Sequence, residues 1–365
     1  MTPLALHAFH ERLKAAFLEV HGMEWVDHYG DPAAEYAALR ETAAVLDLGA
    51  RSRLRLLGAD RQKFLNGQVT NNVKDLKPGE GCYAALVSAK ARLQSDLNIH
   101  VLADAVLLDF EPGYSAAVAE RLEKYIIADD VQVEDAHPLL GLLSVQGPKA
   151  GAVVEQLDPA LAAASKPMSH ALASGGAPGA LCAVNIPRTG AAGFDLFVPA
   201  PALESVAERL LAATRSLGGR PCGWQALEAA RIEAGIPRFG ADMDETNLAP
   251  EAGIEGRAIS YTKGCYIGQE VISRIRTYGQ VARILRGLRL SDSLRVPPRK
   301  GDKLLHEDKE VGYITSALVS PLFPSKIALG YVRREHHQPG TGLVLRTAEG
   351  DSPARIIDLP MIPTA

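Results

Sequence analysis

A chain of 365 residues with 47% hydrophobic and 22% charged side chains has ordinary globular composition, and its length predicts two or three packed units rather than one small core. With 39 Lys plus Arg against 43 Asp plus Glu the net charge is −4, which excludes a whole-protein field that would draw it to nucleic acid or an anionic membrane. No basic segment followed by an apolar run stands at the amino terminus, no stretch of about 18 apolar residues occurs, and the four cysteines lack CxxC spacing, so free thiols in a reducing cytosol are expected.

The amino-terminal stretch carrying Glu11, Arg12, Lys14 and Glu19 reads as helical. Apolar positions recur at helical intervals over 33–45, and residues 51–57 then alternate with a period of two, so a helix is followed by a strand. Gly58-Ala59-Asp60 turns into a short helix through Phe64 and Leu65, which Asn66-Gly67 and Asn71-Asn72 break into a polar loop. Strands are expected over 83–87, 93–102 and 106–110, a helix over 115–127, and further strands at 131–133 and 142–145. Short turns between these strands favour an antiparallel sheet with helices on one face.

A second cycle of the same plan starts at Pro148, with a helix to Leu157, a Gly/Ala/Ser-rich loop over 171–179, strands at 181–186 and 194–198, and a helix over 201–217. Beyond about Gln280, six short strands at 282–290, 303–306, 310–315, 327–332, 343–346 and 354–357 read as a small β-barrel or sandwich. The expected domains are 1–140, 141–280 and 281–365, and the class is α+β.

The segment Lys263-Gly264-Cys265-Tyr266-Ile267-Gly268-Gln269-Glu270 concentrates the chemistry. Gly264 and Gly268 let the backbone turn and be approached closely, presenting the Cys265 thiol. Lys263 and the amides of a helix beginning at Gly268 would enrich its thiolate, the form that attacks or ligates. The bland alternative is that Cys265 is a small apolar residue and the glycines shape a helix entry.

This octapeptide resembles the signature of the YgfZ family of folate-binding proteins, Lys-Gly-Cys-(Phe or Tyr)-x-Gly-Gln-Glu, without a departure. That family is similar to the T-protein of the glycine cleavage system, an aminomethyltransferase. Residues 64–73, reading FLNGQVTNNV, resemble its amino-terminal motif, and Glu233-Ala234-Gly235-Ile236-Pro237 with Leu248-Ala249-Pro250-Glu251-Ala252-Gly253 resemble its central one.

The resemblance implies a T-protein-like ring of three domains, two related antiparallel-sheet α+β units and a carboxyl-terminal β-barrel, binding tetrahydrofolate or a one-carbon-substituted folate. It aligns Asp96, in Ser95-Asp96-Leu97-Asn98, with an aspartate beside the reactive folate nitrogen, and Tyr83 with a folate-contacting tyrosine. A folate site needs a slot for the flat pterin and a carboxylate for its amino edge, which Tyr83 and Asp96 could supply in part. Taken without the resemblance, Asp96 reads as a solvated strand residue. Gln269 and Glu270 would fix the loop by hydrogen bonds, with Glu270 as a candidate base.

Two departures from the T-protein stand out. Its Thr-Gly-Glu-x-Gly-Phe-Glu reads Thr189-Gly190-Ala191-Ala192-Gly193-Phe194-Asp195 here, with Ala191 replacing the pterin-binding glutamate, and its Ala-Arg-Asp reads Ala226-Leu227-Glu228, losing an arginine. A basic run at Arg274, Arg276, Arg283, Arg286 and Arg289 could grip a polyglutamate tail or an RNA phosphate, or could merely be solvated. The ten histidines show no metal-site spacing, so no stable metal centre is expected.

The leading expectation is a tetrahydrofolate-binding factor supporting iron–sulfur cluster assembly or repair in client enzymes, including tRNA-modifying ones. Cys265 would be its functional thiol, and its partners would be folate and iron–sulfur client or assembly proteins, without direct nucleic-acid or membrane contact. The alternatives are a folate-dependent aminomethyltransferase in which Asp96 orients the reacting amine, and a folate-responsive module in which Cys265 is dispensable.

Overall fold

A computed structural model describes residues 1–175, 180–323 and 325–362. The described chain divides into two compact units, the first formed by residues 1–86, 95–227 and 258–267, the second by 87–94, 228–257 and 268–365.

The first unit contains two sheets. Five strands, Gly81–Val87, Leu93–Val101, Val106–Phe110, Ser52–Leu57 and Gln132–Asp135, form one in that spatial order. Alternation along Leu93–Val101 divides its side chains between two faces. Leu97, Ile99 and Val101 are fully buried against Phe64, Leu65, Val118 and Leu122 of the helices Arg61–Gln68 and Ser115–Glu123, while Asp96, Asn98 and His100 project from the opposite face. Each such apolar side chain withdrawn from water contributes roughly 1.5–3 kcal/mol, which makes this helix-covered side the core and leaves the other face for polar groups.

The second sheet runs His170–Leu172, Cys182–Asn185, Gly193–Pro199, Leu140–Gln146, Ala44–Asp47 and Arg220–Pro221. Its helices Ala150–Leu157 and Leu203–Ser216 bury Val153, Val154, Leu210 and Leu211 against Val145, Leu196 and Val198. The duplicated α+β plan read from the sequence is therefore present, but the sheets are not cut at the same place as the chain. Ala44, Val45 and Leu46 pair with Gln146, Val145 and Ser144.

That pairing corrects the helix expected over 33–45. It starts with Pro32, capped by the Asp31 carboxylate on the Ala34 amide, and ends at Glu41 because the following apolar residues join a strand. The amino-terminal helix is likewise only His7–Arg12, and Glu19 lies in a hairpin, Ala16–Val20 against Met23–His28. His21 and Gly22, at φ 52° and 80°, form the two-residue turn that closes it. Asn66-Gly67 do not break the third helix, which continues to Gln68; the Asn66 side-chain oxygen instead accepts from the amides of Val73 and Lys74 and shapes the loop beyond. The loop expected over 171–179 begins only after the strand His170–Leu172, and its residues 176–179 lie outside the described ones.

In the second unit, six strands close a barrel in the order Arg283–Leu290, Lys326–Arg333, Lys309–Val319, Lys303–His306, Gly342–Thr347 and Gly350–Ile357. Leu288, Leu304, Ile314, Val332, Leu345 and Ile356 fill its interior. Closure removes sheet edges that a sandwich would leave open. The helix Gln269–Tyr278 also belongs to this unit and buries Ile272.

Candidate functional site

The polar face of the five-stranded sheet carries the predicted pair. Tyr83 and Asp96 stand on neighbouring strands, and the Tyr83 hydroxyl donates to the Asp96 carboxylate at 2.8 Å. Asn71, from the motif over 64–73, donates its side-chain amide to the Tyr83 carbonyl at 2.8 Å. Thr70 ties the same loop to the sheet, accepting from the Ala85 amide at 2.9 Å and donating to the Ala258 carbonyl at 2.6 Å.

The octapeptide joins this loop through Lys263. Its ammonium is buried and donates to the carbonyls of Asn66, Val69 and Asn71 at 2.5, 2.7 and 2.7 Å. An ammonium has three N–H donors, and all three are spent on backbone. Lys263 therefore pins the 66–71 loop. Desolvation draws its pKa down to about 8, opposed by the neighbouring Cys82 thiol, which burial pushes up to about 12.

Tyr266 is buried with its ring 4.9 Å from the Lys263 nitrogen, a cation–π contact, and the Ile267 amide donates to the Gly67 carbonyl at 3.1 Å. Cys265 is exposed. The two glycines differ. Gly268 has φ 84°, and a Cβ there would lie 2.6 Å from the Ser88 carbonyl oxygen, whereas Gly264 faces open space. Only Gly268 is demanded by backbone geometry. Gln269 opens the helix Gln269–Tyr278 half-buried, and exposed Glu270 pairs one turn ahead with Arg274 at 2.9 Å.

A buried charged layer on the same sheet face was not anticipated. Arg51 contacts Asp109 at 2.7 Å and Glu111 at 2.6 Å; Arg188 contacts Asp109 at 2.7 Å and chelates Asp195; Asn98 donates to Asp109 at 2.8 Å. Burial alone would raise Asp109, but Arg51 and Arg188 hold its carboxyl well below the usual range. For Asp195, burial outweighs Arg188 and the pKa is raised. Asn98 lies two residues beyond Asp96 on one strand, so this layer fixes the strand that presents the Asp96 carboxylate. Arg188 directly precedes the Thr189–Asp195 stretch read as a departure, and that adjacency was the signal available in the sequence.

In the second unit, Glu228 is held by Arg231 and Arg238, each at 2.8 Å, while Arg231 also meets Asp242 at 2.6 Å. Burial would raise Glu228, but the two arginines lower it. The basic run is largely occupied: Arg283 bonds Glu251, Tyr313 and the Thr246 carbonyl, Arg286 the His337 carbonyl, and Arg289 the Ser325 hydroxyl. Among the described residues, no group of three or more His, Cys, Asp and Glu could hold a metal, and no helix is long and apolar enough to cross a membrane.

Residues 6–263 match the GCVT N-terminal domain and residues 283–362 the glycine cleavage T-protein C-terminal barrel domain. The chain belongs to the glycine cleavage T-protein family.

It is 28% identical to an aminomethyltransferase of Streptomyces coelicolor, over 98% of this chain and 96% of the relative, and 26% identical to one of Desulforamulus reducens, over 97% and 96%. The crystal structure of aminomethyltransferase T from Bartonella henselae superposes with a TM-score of 0.85 at 23% identity, covering 99% of this chain and 98% of that one. The α+β architecture with a carboxyl-terminal barrel is thus the T-protein fold.

Proposed function

We propose that this aminomethyltransferase-like protein is a tetrahydrofolate-binding factor of the YgfZ type, supporting assembly or repair of iron–sulfur clusters in client enzymes, including those that modify tRNA. The observation that carries the reading is Cys265. It is the exposed cysteine of the chain, whereas Cys182 and Cys222 are buried and Cys82 half-buried, and it stands in an octapeptide that matches the family signature throughout. Only an accessible thiol can exchange with a partner's sulfur or ligate transiently. Lys263 acts by holding the loop from which this thiol is offered, and Tyr266 packs against it.

Folate binding rests on Tyr83 and Asp96, whose hydrogen bond sets a ring beside a carboxylate that can accept from the amino-bearing edge of a pterin. The family resemblance supplies the cofactor and the client class. Gln269 and Glu270, at the start of their helix, complete the proposed motif loop with Gly264 and Gly268.

The second reading, a folate-dependent aminomethyltransferase, is favoured by the Tyr83–Asp96 geometry and by the names of the relatives. Ala191, where a T-protein has its pterin-binding glutamate, weighs against it. Calorimetry with tetrahydrofolate on wild type and Asp96→Ala, run beside an assay with the glycine-cleavage carrier protein, separates the two. Binding weakened by the substitution without carrier turnover supports the first reading; turnover supports the second; absence of binding removes folate. Full rescue of iron–sulfur enzyme activity by Cys265→Ser would refute the role of the thiol.

A further inference from the structure

The polar face that carries Tyr83 and Asp96 continues along the strand Leu93–Val101 in layers set by register. Beyond Asp96 comes Asn98, opposite Asp109 in the charged layer; beyond that comes His100, opposite Leu107, which itself pairs with Arg55. The ring of His100 packs 5.5 Å from that of Phe197 and 6.1 Å from that of His170, centroid to centroid. Residues of both sheets, Phe197 and His170 among them, line a cavity of about 370 Å³. It is lined by Leu102, Leu107, Leu140, Leu172, Cys182 and Phe197, together with His170 and Arg55.

The chamber lies wholly within the first unit and is divided from the Tyr83–Asp96 pair by a charged layer and an aromatic one. Its size falls within the roughly 300–1,000 Å³ of small-molecule pockets. Its chemistry is close to neutral. Arg55 is paired with Glu134 at 2.6 Å, and burial drives His100 down to about 3 and lowers His170, so both imidazoles are uncharged at neutral pH. Asp104, the remaining charge in the lining, is exposed to water. An ionised ligand would lose its hydration and find no free counter-charge inside.

We propose that this cavity is a second ligand site, separate from the Tyr83–Asp96 pair, for a small uncharged molecule of one or two rings or an equivalent aliphatic body. The walls supply apolar burial, which dominates the affinity of such sites. Leu172, 40% exposed on the strand His170–Leu172, marks the mouth, and Cys182, 5% exposed, lies on the neighbouring strand deeper inside.

The test is a fluorescence titration of the full chain with N-phenyl-1-naphthylamine, a neutral apolar probe, on wild type, Leu172→Trp, Cys182→Phe and Asp96→Ala. The expected result is a saturable one-to-one rise in wild type and Asp96→Ala, weakened tenfold or more when either bulky side chain fills the cavity. The surface position of Leu172 keeps the test decisive if Cys182→Phe does not fold. No saturable rise, unchanged binding in Leu172→Trp, or an equal loss in Asp96→Ala would each overturn the assignment.

Discussion

Replacing Lys263 with Met removes three N–H donors from one buried point while keeping an unbranched apolar stem of nearly the same length. The carbonyls of Asn66, Val69 and Asn71 then lose partners now held at 2.5–2.7 Å. At about 2 kcal/mol for each carbonyl left unpaired, the loss is about 6 kcal/mol, and relief of the cation's desolvation, about 3.4 kcal/mol for a pKa drawn from about 10.5 to about 8, leaves a net loss of about 2.5 kcal/mol. For units of this size, 1 kcal/mol corresponds to roughly 2–4 °C, so Lys263→Met should melt about 5–10 °C below wild type by calorimetry.

The pH dependence adds a second reading. Desolvation holds the folded pKa of Lys263 at about 8, below the roughly 10.5 of an unfolded lysine, so between those values the unfolded chain binds more protons than the folded one. The penalty on the buried cation is thus fully present below pH 8 and is relieved as pH rises toward 10.5. Wild-type stability relative to the variant should climb across that window. Equal or greater stability of Lys263→Met at pH 7, or a flat difference from pH 8 to 10, would refute the argument that this lysine pins the loop.

Gly268→Ala should destabilise the second unit by about 1–3 kcal/mol in urea unfolding, since φ is 84° and the Ser88 carbonyl lies 2.6 Å from the added carbon. Gly264→Ala, facing open space, should stay within about 0.5 kcal/mol. Asp109→Asn leaves Arg51 and Arg188 short of their shared carboxylate and should cost about 3–5 kcal/mol by the same measurement. Because the folded pKa of Asp109 is depressed, its contribution is present above the ordinary aspartate pKa and is lost as acid titrates it, so wild type should lose stability below about pH 4 where the variant does not. With a soluble thiol reagent at pH 7.5, Cys265 should react first and fast, while burial, which holds Cys82 and Cys182 near 12, makes those two slow.

Period-two and period-3.6 patterns located most strands and helices within a few residues, because those patterns reflect which face is buried. The misses arose where distant pairing overrode local preference. Nothing local to Ala44-Val45-Leu46 announces that it will pair with Ser144-Val145-Gln146, and its small apolar residues continue a helical pattern equally well. The His21-Gly22 turn is a local signal, but the charged residues before it fit a helical pattern as well as a strand.

At the site, the octapeptide and the Tyr83–Asp96 pair were readable because family motifs mark them. The charged layer was not, since Arg51, Asn98, Asp109, Arg188 and Asp195 come from separate strands and loops and acquire meaning only through their mutual burial. The same holds for Lys263. Its position in the motif suggested a neighbour of the thiol, while its three acceptors lie almost 200 residues earlier in the chain.

The strand Ala44–Asp47, lodged between Leu140–Gln146 and Arg220–Pro221, has a bearing on how the molecule is made. On the ribosome it emerges about a hundred residues before its first neighbour and about 175 before its second, so it must wait, apolar and unpaired, until much of the first unit has been synthesised. A nascent chain stalled anywhere short of Gln146 carries that open edge, and chaperones that bind apolar extended segments would find it there.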